Sequence, residues 1–350
     1  MKTITRVLSA AGMLLLTAIL LAAAKNMPML FVSWYPAATQ KLQNILAGIT
    51  GVFPFPLWEV IAVLLLAWLV VSFIKSLPHM KVLRWLSGIL WGVSLGALLL
   101  TALWGINHFL PRKTDAIVRV READAASLYA AGEYYGRQAS ALAAQFPRDS
   151  EGQPMADFPP EAAAEGFHIL RERGFDLPEA TLKTKTLFAG KLFNYMGITG
   201  MFVPYTAEAS INPAAYPPSQ PFVACHELAH RQGAAAEEDA DFLAFLAASV
   251  NEDVRYRYSA YYSAFLYCYN ALQTLSPEQA AALWNTVSSQ VQDDLRGSGA
   301  YYAVYEGAVQ DAAKKVNDTY LKTFNETEGV HSYDLVSNAL VAWYDQKIAT

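Results

Sequence analysis

The sequence predicts an α+β protein in two parts: three transmembrane helices, then a predominantly helical domain with a small sheet. Three observations carry that expectation. Of 350 residues, 54% are hydrophobic and only 16% charged, with mean hydropathy +0.19, which is more apolar than an ordinary soluble chain. The apolar residues are concentrated in three stretches of residues 1–111, at about 7–24, 56–74 and 85–110, in which Glu59 is the one acid. From residue 112 onward the pattern becomes Ala-rich helical periodicity, interrupted once by a short region of Gly, Tyr, Phe and Val.

Each stretch is long enough to cross a hydrocarbon core of about 30 Å. Lys2 and Arg6 precede the first, and Lys75, Lys81 and Arg84 separate the second from the third, against Lys25 and Lys41 in the first loop. The positive-inside rule therefore places the N-terminus and second loop in the cytoplasm and residues 112–350 outside it. Arg112, Lys113, Arg119 and Arg121 run against this weakly, because long domains translocate largely regardless of charge. The first stretch also has the form of a signal peptide, with a basic start and the small residues Ala22-Ala23-Ala24. Gly88, Gly92 and Gly96 recur every fourth residue of the third stretch and predict one smooth face for close helix packing. Gly92-Val93-Ser94-Leu95-Gly96 spells a serine-hydrolase G-x-S-x-G, but mid-span there is no strand-to-helix elbow to expose the serine.

Residues 1–111 hold seven Lys or Arg against one acid, so the remainder is strongly acidic within a net charge of −5. That excludes a nucleic-acid binder working by phosphate neutralisation. Two cysteines exclude a disulfide scaffold and a four-cysteine metal site. Cys225 and Cys268 both fall in helical stretches and read as free core residues rather than a disulfide. In the outer part, 121–146 and 161–173 read as helices, the second stopped by Gly174, with a Gly- and Pro-punctuated loop between them. Residues 201–205 and 207–211 read as strands. Helices follow at 221–232, 237–275, 277–295, 300–324 and 332–348, and the tyrosines between 256 and 269 read as a packing face.

The chemistry is carried by Cys225-His226-Glu227-Leu228-Ala229-His230, an H-E-x-x-H inside a helical stretch. Residues i and i+4 share one helix face, so His226 and His230 can aim ring nitrogens at one Zn2+. Glu227 beside them can then act as the base toward zinc-bound water. The bland alternative is two histidines hydrogen-bonded in a core. A hydrolytic zinc site needs a third protein ligand and an open fourth position. The metzincin pattern would put a third His at residue 236, where Ala236 stands. Gly233 can end the motif helix in a left-handed cap, after which Glu237-Glu238-Asp239-Ala240-Asp241 opens the next one. Glu237 is the expected ligand, because Asp241 then lies at i+4 to accept the outer N–H of a ligating histidine. Glu238 and Asp239 have the simpler reading of acids favoured at a helix N-terminus. His331, Tyr333 and Tyr205 are candidates to stabilise the transition state.

His226-Glu227-Leu228-Ala229-His230, then Gly233, then Glu237 with Ala240 and Asp241, resembles the gluzincins, the thermolysin-like class with an E-x-x-x-D ligand helix. Over nearly its whole length the chain resembles a bacterial membrane family catalogued as domain of unknown function 3810. The residues carrying this are the three apolar stretches, Trp104-Gly105-Ile106-Asn107, Pro204-Tyr205-Thr206-Ala207-Glu208-Ala209, Lys315-Val316-Asn317-Asp318-Thr319-Tyr320-Leu321-Lys322 and Gly329-Val330-His331-Ser332-Tyr333. Asp241 departs from the Asn expected there.

The resulting expectation is a zincin-like domain over residues 112–350, tethered by residues 1–111 to the lipid bilayer. It would be a zinc metallopeptidase cleaving an unspecified peptide or protein outside the cytoplasm. The alternative is a catalytically inactive sensing or scaffolding protein that keeps the helix without turnover. A transporter is disfavoured, because Glu59 is the one charge within the apolar stretches.

Overall fold

The computed structural model describes residues 3–77, 81–180, 183–324 and 335–348. The chain divides into two units, Met1–Leu110 with Val203–Glu208, and Pro111–Phe202 with Ala209–Thr350.

The first unit begins with α1 (Thr3–Asn26), then α2 (Met29–Val32), α3 (Tyr35–Thr50), α4 (Leu57–Ser76) and α5 (Val82–Leu103). Among the described residues, α1, α4 and α5 are the helices long and apolar enough to cross a membrane. The third stretch is shorter than its uncharged run, because α5 ends at Leu103 and a 3-10 turn, Gly105–Phe109, follows. The first loop, left without structure by sequence periodicity, holds α2 and α3. Helix α1 packs along α5, but the glycine face is only partly its seam. A Cβ on Gly88 would lie 3.5 Å from the Arg6 guanidinium, while one on Gly92 would meet nothing within 4 Å. The residues that α5 buries are Ser87, Ser94 and Thr101, spaced by seven. Ser87 and Ser94 donate to the Arg84 and Leu90 carbonyls, which satisfies their hydroxyls within the helix. Residues 203–208 belong to this unit through three sets of hydrogen bonds. The Tyr205 hydroxyl donates to the Gly96 carbonyl at 2.9 Å, and Thr50 donates to the Thr206 carbonyl at 3.1 Å. The Glu208 carboxylate accepts the Leu57 and Trp58 N–H groups at 2.8 and 2.9 Å, capping the otherwise unsatisfied start of α4.

The second unit contains α6 (Lys113–Ile117), α7 (Ala125–Leu142), α8 (Ala163–Glu172), β1 (Thr184–Thr186), α9 (Gly190–Tyr195) and α10 (Gln220–Arg231), together with β2 (Gly200–Val203) except its end residue Val203 and β3 (Glu208–Ile211) except its first residue Glu208. There follow α11 (Glu237–Ser249), α12 (Val254–Leu275), α13 (Pro277–Trp284), α14 (Ser289–Ala303), α15 (Ala308–Thr323) and α16 (Val336–Trp343). This is a mostly helical protein with one small sheet, ordered β1-β3-β2. Strand β1 runs parallel to β3, with Thr184 opposite Ala209. Its Thr-Lys-Thr sequence has no apolar alternation, so the strand was invisible to periodicity.

The expected helix at 237–275 is two helices. The chain leaves helical geometry at residues 250–253, where the Asn251 side chain accepts the Asp253 N–H and the Asp253 carboxylate caps α12 through the Arg255 N–H. The expected helix at 277–295 likewise breaks before α14, whose Ser288 side chain accepts the Val291 N–H. The next expected helix, 300–324, is divided between the end of α14 and α15, with a break at 304–307 that closes on Gly307 at φ 149°. The core is a cluster of α7, α8, α10, α11, α12 and α16 side chains, including Tyr135, Phe167, Leu228, Phe242, Phe245 and Phe265. Tyr256, Tyr258 and Tyr262 are buried in it, as the packing-face reading expected. Cys225 and Cys268 are buried and free, and burial pushes both thiols up, that of Cys268 to about 12.

Candidate metal centre

Helix α10 carries Pro221 in its first turn, where the missing N–H costs nothing, and runs without a breaker through His230. Its end is set by Gly233, at φ 89°. The Gly233 N–H bonds the His230 carbonyl at 2.8 Å and the Ala234 N–H bonds the Ala229 carbonyl at 3.2 Å. This is the paired closure of a left-handed helix cap, which a glycine adopts without Cβ strain. The reversal takes the chain straight into α11, whose first residue is Glu237.

Three side chains converge there. His226 Nε2 and His230 Nε2 lie 3.3 and 3.7 Å from the same Glu237 oxygen, and the three ligand atoms all fall within 4.8 Å of one another. A tetrahedral zinc site with bonds of about 2.0–2.2 Å separates its ligand atoms by about 3.3–3.6 Å. The spacing therefore fits a small divalent ion shared by the three. The far ring nitrogens are held too. His226 Nδ1 donates to Asp241 at 2.7 Å, and His230 Nδ1 donates to the Ala234 carbonyl at 2.7 Å. With both Nδ1 atoms used as donors, Nε2 is on each ring the atom that can give up its proton and offer a lone pair to a cation at the common centre. Asp241 is itself held by the Tyr267 hydroxyl, which donates to its other oxygen at 2.9 Å.

A family model described as "Protein of unknown function (DUF3810)" matches residues 34–341. The chain belongs to the DUF3810 family. No curated protein and no solved structure matches it.

The charge state of the DUF3810 cluster follows from its burial. Burial by itself would lower both histidines, yet Asp241 and then Glu237 hold His226 well above its ordinary value, and Glu237 raises His230. Burial works to raise Glu237, but its hydrogen bonds to the two histidines bring it below the usual carboxylate range. Groups that share protons this tightly are also the groups suited to share a cation.

Glu227 is buried, and desolvation raises its carboxyl to about 7. It faces strand β2. A Cβ on Gly200 would collide with Glu227 Oε1 and would stand 2.7 Å from Val223 Cγ1. Glycine is thus what lets the β2 backbone approach the carboxylate.

Glu238 and Asp239 do more than favour a helix start. Both are buried. Glu238 pairs with Arg112, while Asp239 accepts the Lys113 N–H at 3.1 Å, the Thr114 N–H at 2.7 Å and the Thr114 hydroxyl at 2.6 Å. They fasten residues 112–114 to the first turn of α11.

Of the residues singled out from sequence, the structure brings together His226, Glu227, His230, Glu237 and Asp241. Tyr205 belongs to the other unit and its hydroxyl is engaged by Gly96. His331 and Tyr333 lie outside the described residues. Sequence reasoning missed Gly200, Tyr267, the Ala234 carbonyl and the Thr114 anchor. Each acts across a contact remote in sequence or through backbone, and only the Gly200 dip in a strand pattern offered a signal.

Proposed function

We propose that this chain is a membrane-anchored zinc metallopeptidase of gluzincin type, with its second unit outside the cytoplasm. The observation that supports it most is the shared centre of His226 Nε2, His230 Nε2 and a Glu237 oxygen, with buried Glu227 one residue off that face. His226, His230 and Glu237 would hold the ion, leaving one position for water and substrate. When bound, the metal would supply Lewis acidity toward a peptide carbonyl and toward water.

The protein's own groups do the rest. The Glu227 carboxylate takes a proton from the attacking water as the new C–O bond forms. It then delivers that proton to the leaving nitrogen as the C–N bond breaks, which yields an amine and a carboxylic acid; the acid's remaining proton passes to the amine, giving carboxylate and ammonium. In the metal-free protein burial raises its affinity for protons to near neutrality, the range that suits both directions of transfer. Asp241, backed by Tyr267, fixes the tautomer of His226, and the Ala234 carbonyl fixes that of His230.

The test pairs metal content with turnover in the full chain. Purified parent protein is expected to carry close to one zinc and to cleave members of a peptide library, while Glu227→Gln keeps the zinc and loses cleavage. A Glu227→Gln variant that cleaves as fast as the parent overturns the mechanism.

A further inference from the structure

Helix α3 is folded inside out by the standard of a helix in water. The side chains it buries are Tyr35, Thr39, Gln43, Ala47 and Thr50, a mostly polar stripe at helical spacing. Thr39, Gln43 and Thr50 are only 9, 3 and 5% exposed, whereas Leu42, Ile45 and Ile49 are 40, 61 and 59% exposed. The buried stripe is served by hydrogen bonds, with Thr39 donating to the Tyr35 carbonyl at 2.9 Å and Thr50 to the Thr206 carbonyl. The outward face continues beyond the helix in Val52, and α2 exposes Met29 and Leu30 in the same manner. A helix in contact with water turns its apolar stripe to the core and its polar stripe out. The reverse is stable only where the surroundings are apolar.

We propose that α2 and α3 lie in the membrane, with lipid acyl chains covering the face of Leu42, Ile45 and Ile49. The occupant is lipid because α3 belongs to the unit that holds α1, α4 and α5. Those helices present the same chemistry outward, for example Leu64 and Trp68 on α4. At 16 residues, or about 24 Å, α3 is shorter than a hydrocarbon core of about 30 Å. It therefore rests within one leaflet rather than crossing. Lys41, the one charge on the outward face, can lay its stem along that face and put its ammonium among the headgroups. The connection between the first two spans is thus part of the membrane region and not an aqueous loop. This inference does not depend on the hydrolytic reading.

The experiment uses the full chain in phosphatidylcholine–phosphatidylglycerol vesicles, with a nitroxide on single cysteines replacing Ile45 or Ile49. Native Cys225 and Cys268 are first replaced by Ala or shown not to react. Collision with oxygen, which partitions into lipid, is compared with collision with a water-soluble nickel chelate. Labels replacing Leu64 on α4 and Asp293 on α14 give the lipid and water references. Positions 45 and 49 are expected to match the Leu64 ratio. A ratio matching Asp293 overturns the proposal. So does low collision with both probes accompanied by spin–spin broadening between labelled copies, which would mean that a second chain covers the face. Should Ile45→Cys fail to reconstitute, Leu42→Cys reads the same face.

Discussion

Replacing Glu227 by Gln separates the burial of this carboxyl from its chemistry. In the metal-free protein desolvation raises it from the ordinary 4.5 to about 7. The folded state then binds this proton more tightly than the unfolded chain. The stability it contributes is full below about pH 4.5, declines as pH rises, and is lost above about pH 7. At about 1.4 kcal/mol per pH unit, the rise from 4.5 to about 7 amounts to between about 3 and 4 kcal/mol. Gln keeps the shape and cannot ionise, so it escapes the loss. Metal-free Glu227→Gln is expected to exceed the parent in stability by about 3 to 4 kcal/mol at pH 8.5 and by less than about 1 kcal/mol at pH 5. Urea unfolding in detergent micelles, followed by tryptophan fluorescence at the two pH values, measures both gaps. A gap of the same size at both would show that Glu227 ionises as a solvated carboxylate does, and the argument from its burial would fail.

The four acids of α11 should separate when zinc affinity, by chelator competition, is read beside thermal stability. Glu237→Ala empties a ligand position and should cost more than the 10- to 100-fold typical of groups behind a ligand, the range expected for Asp241→Asn. Glu238→Ala and Asp239→Ala should leave affinity within about 10-fold but lower the melting temperature. Asp239→Ala should do so more, since it abandons three hydrogen bonds to a carboxylate, each worth about 1.5–3 kcal/mol; a larger affinity loss at Glu238 than at Glu237 would move the ligand. Gly200→Ala pushes a methyl into the Glu227 carboxylate, so turnover should fall at least 10-fold while zinc content holds; unchanged turnover would remove β2 from the site. For orientation, a cysteine replacing exposed Asp293 should react with a membrane-impermeant thiol reagent in intact cells and one replacing Lys81 should not, and the opposite pattern would invert the topology.

Much of this protein was legible in its sequence because the signals were local. Eighteen or more apolar residues can only be accommodated in a few ways, and the i, i+4 spacing of His226 and His230 is a property of one helix. Gly233 and the acids from Glu237 announced a cap and a new helix start for the same reason. Helix boundaries inside 237–275 and 277–295 were lost because Ala-rich periodicity runs smoothly past Asn251 and Asn285, whose breaks depend on side chains bonding backbone. Tertiary structure alone decided which of three adjacent acids reaches the histidines, since that depends on the angle at which α11 leaves the reversal at 232–236. It alone turned Glu238 and Asp239 toward residues 112–114, brought Gly200 against Glu227, and set Tyr267 behind Asp241. It also decided that α3 hides its polar stripe. Composition records how many polar and apolar residues a helix carries, but which face meets protein is settled only when its neighbours are in place.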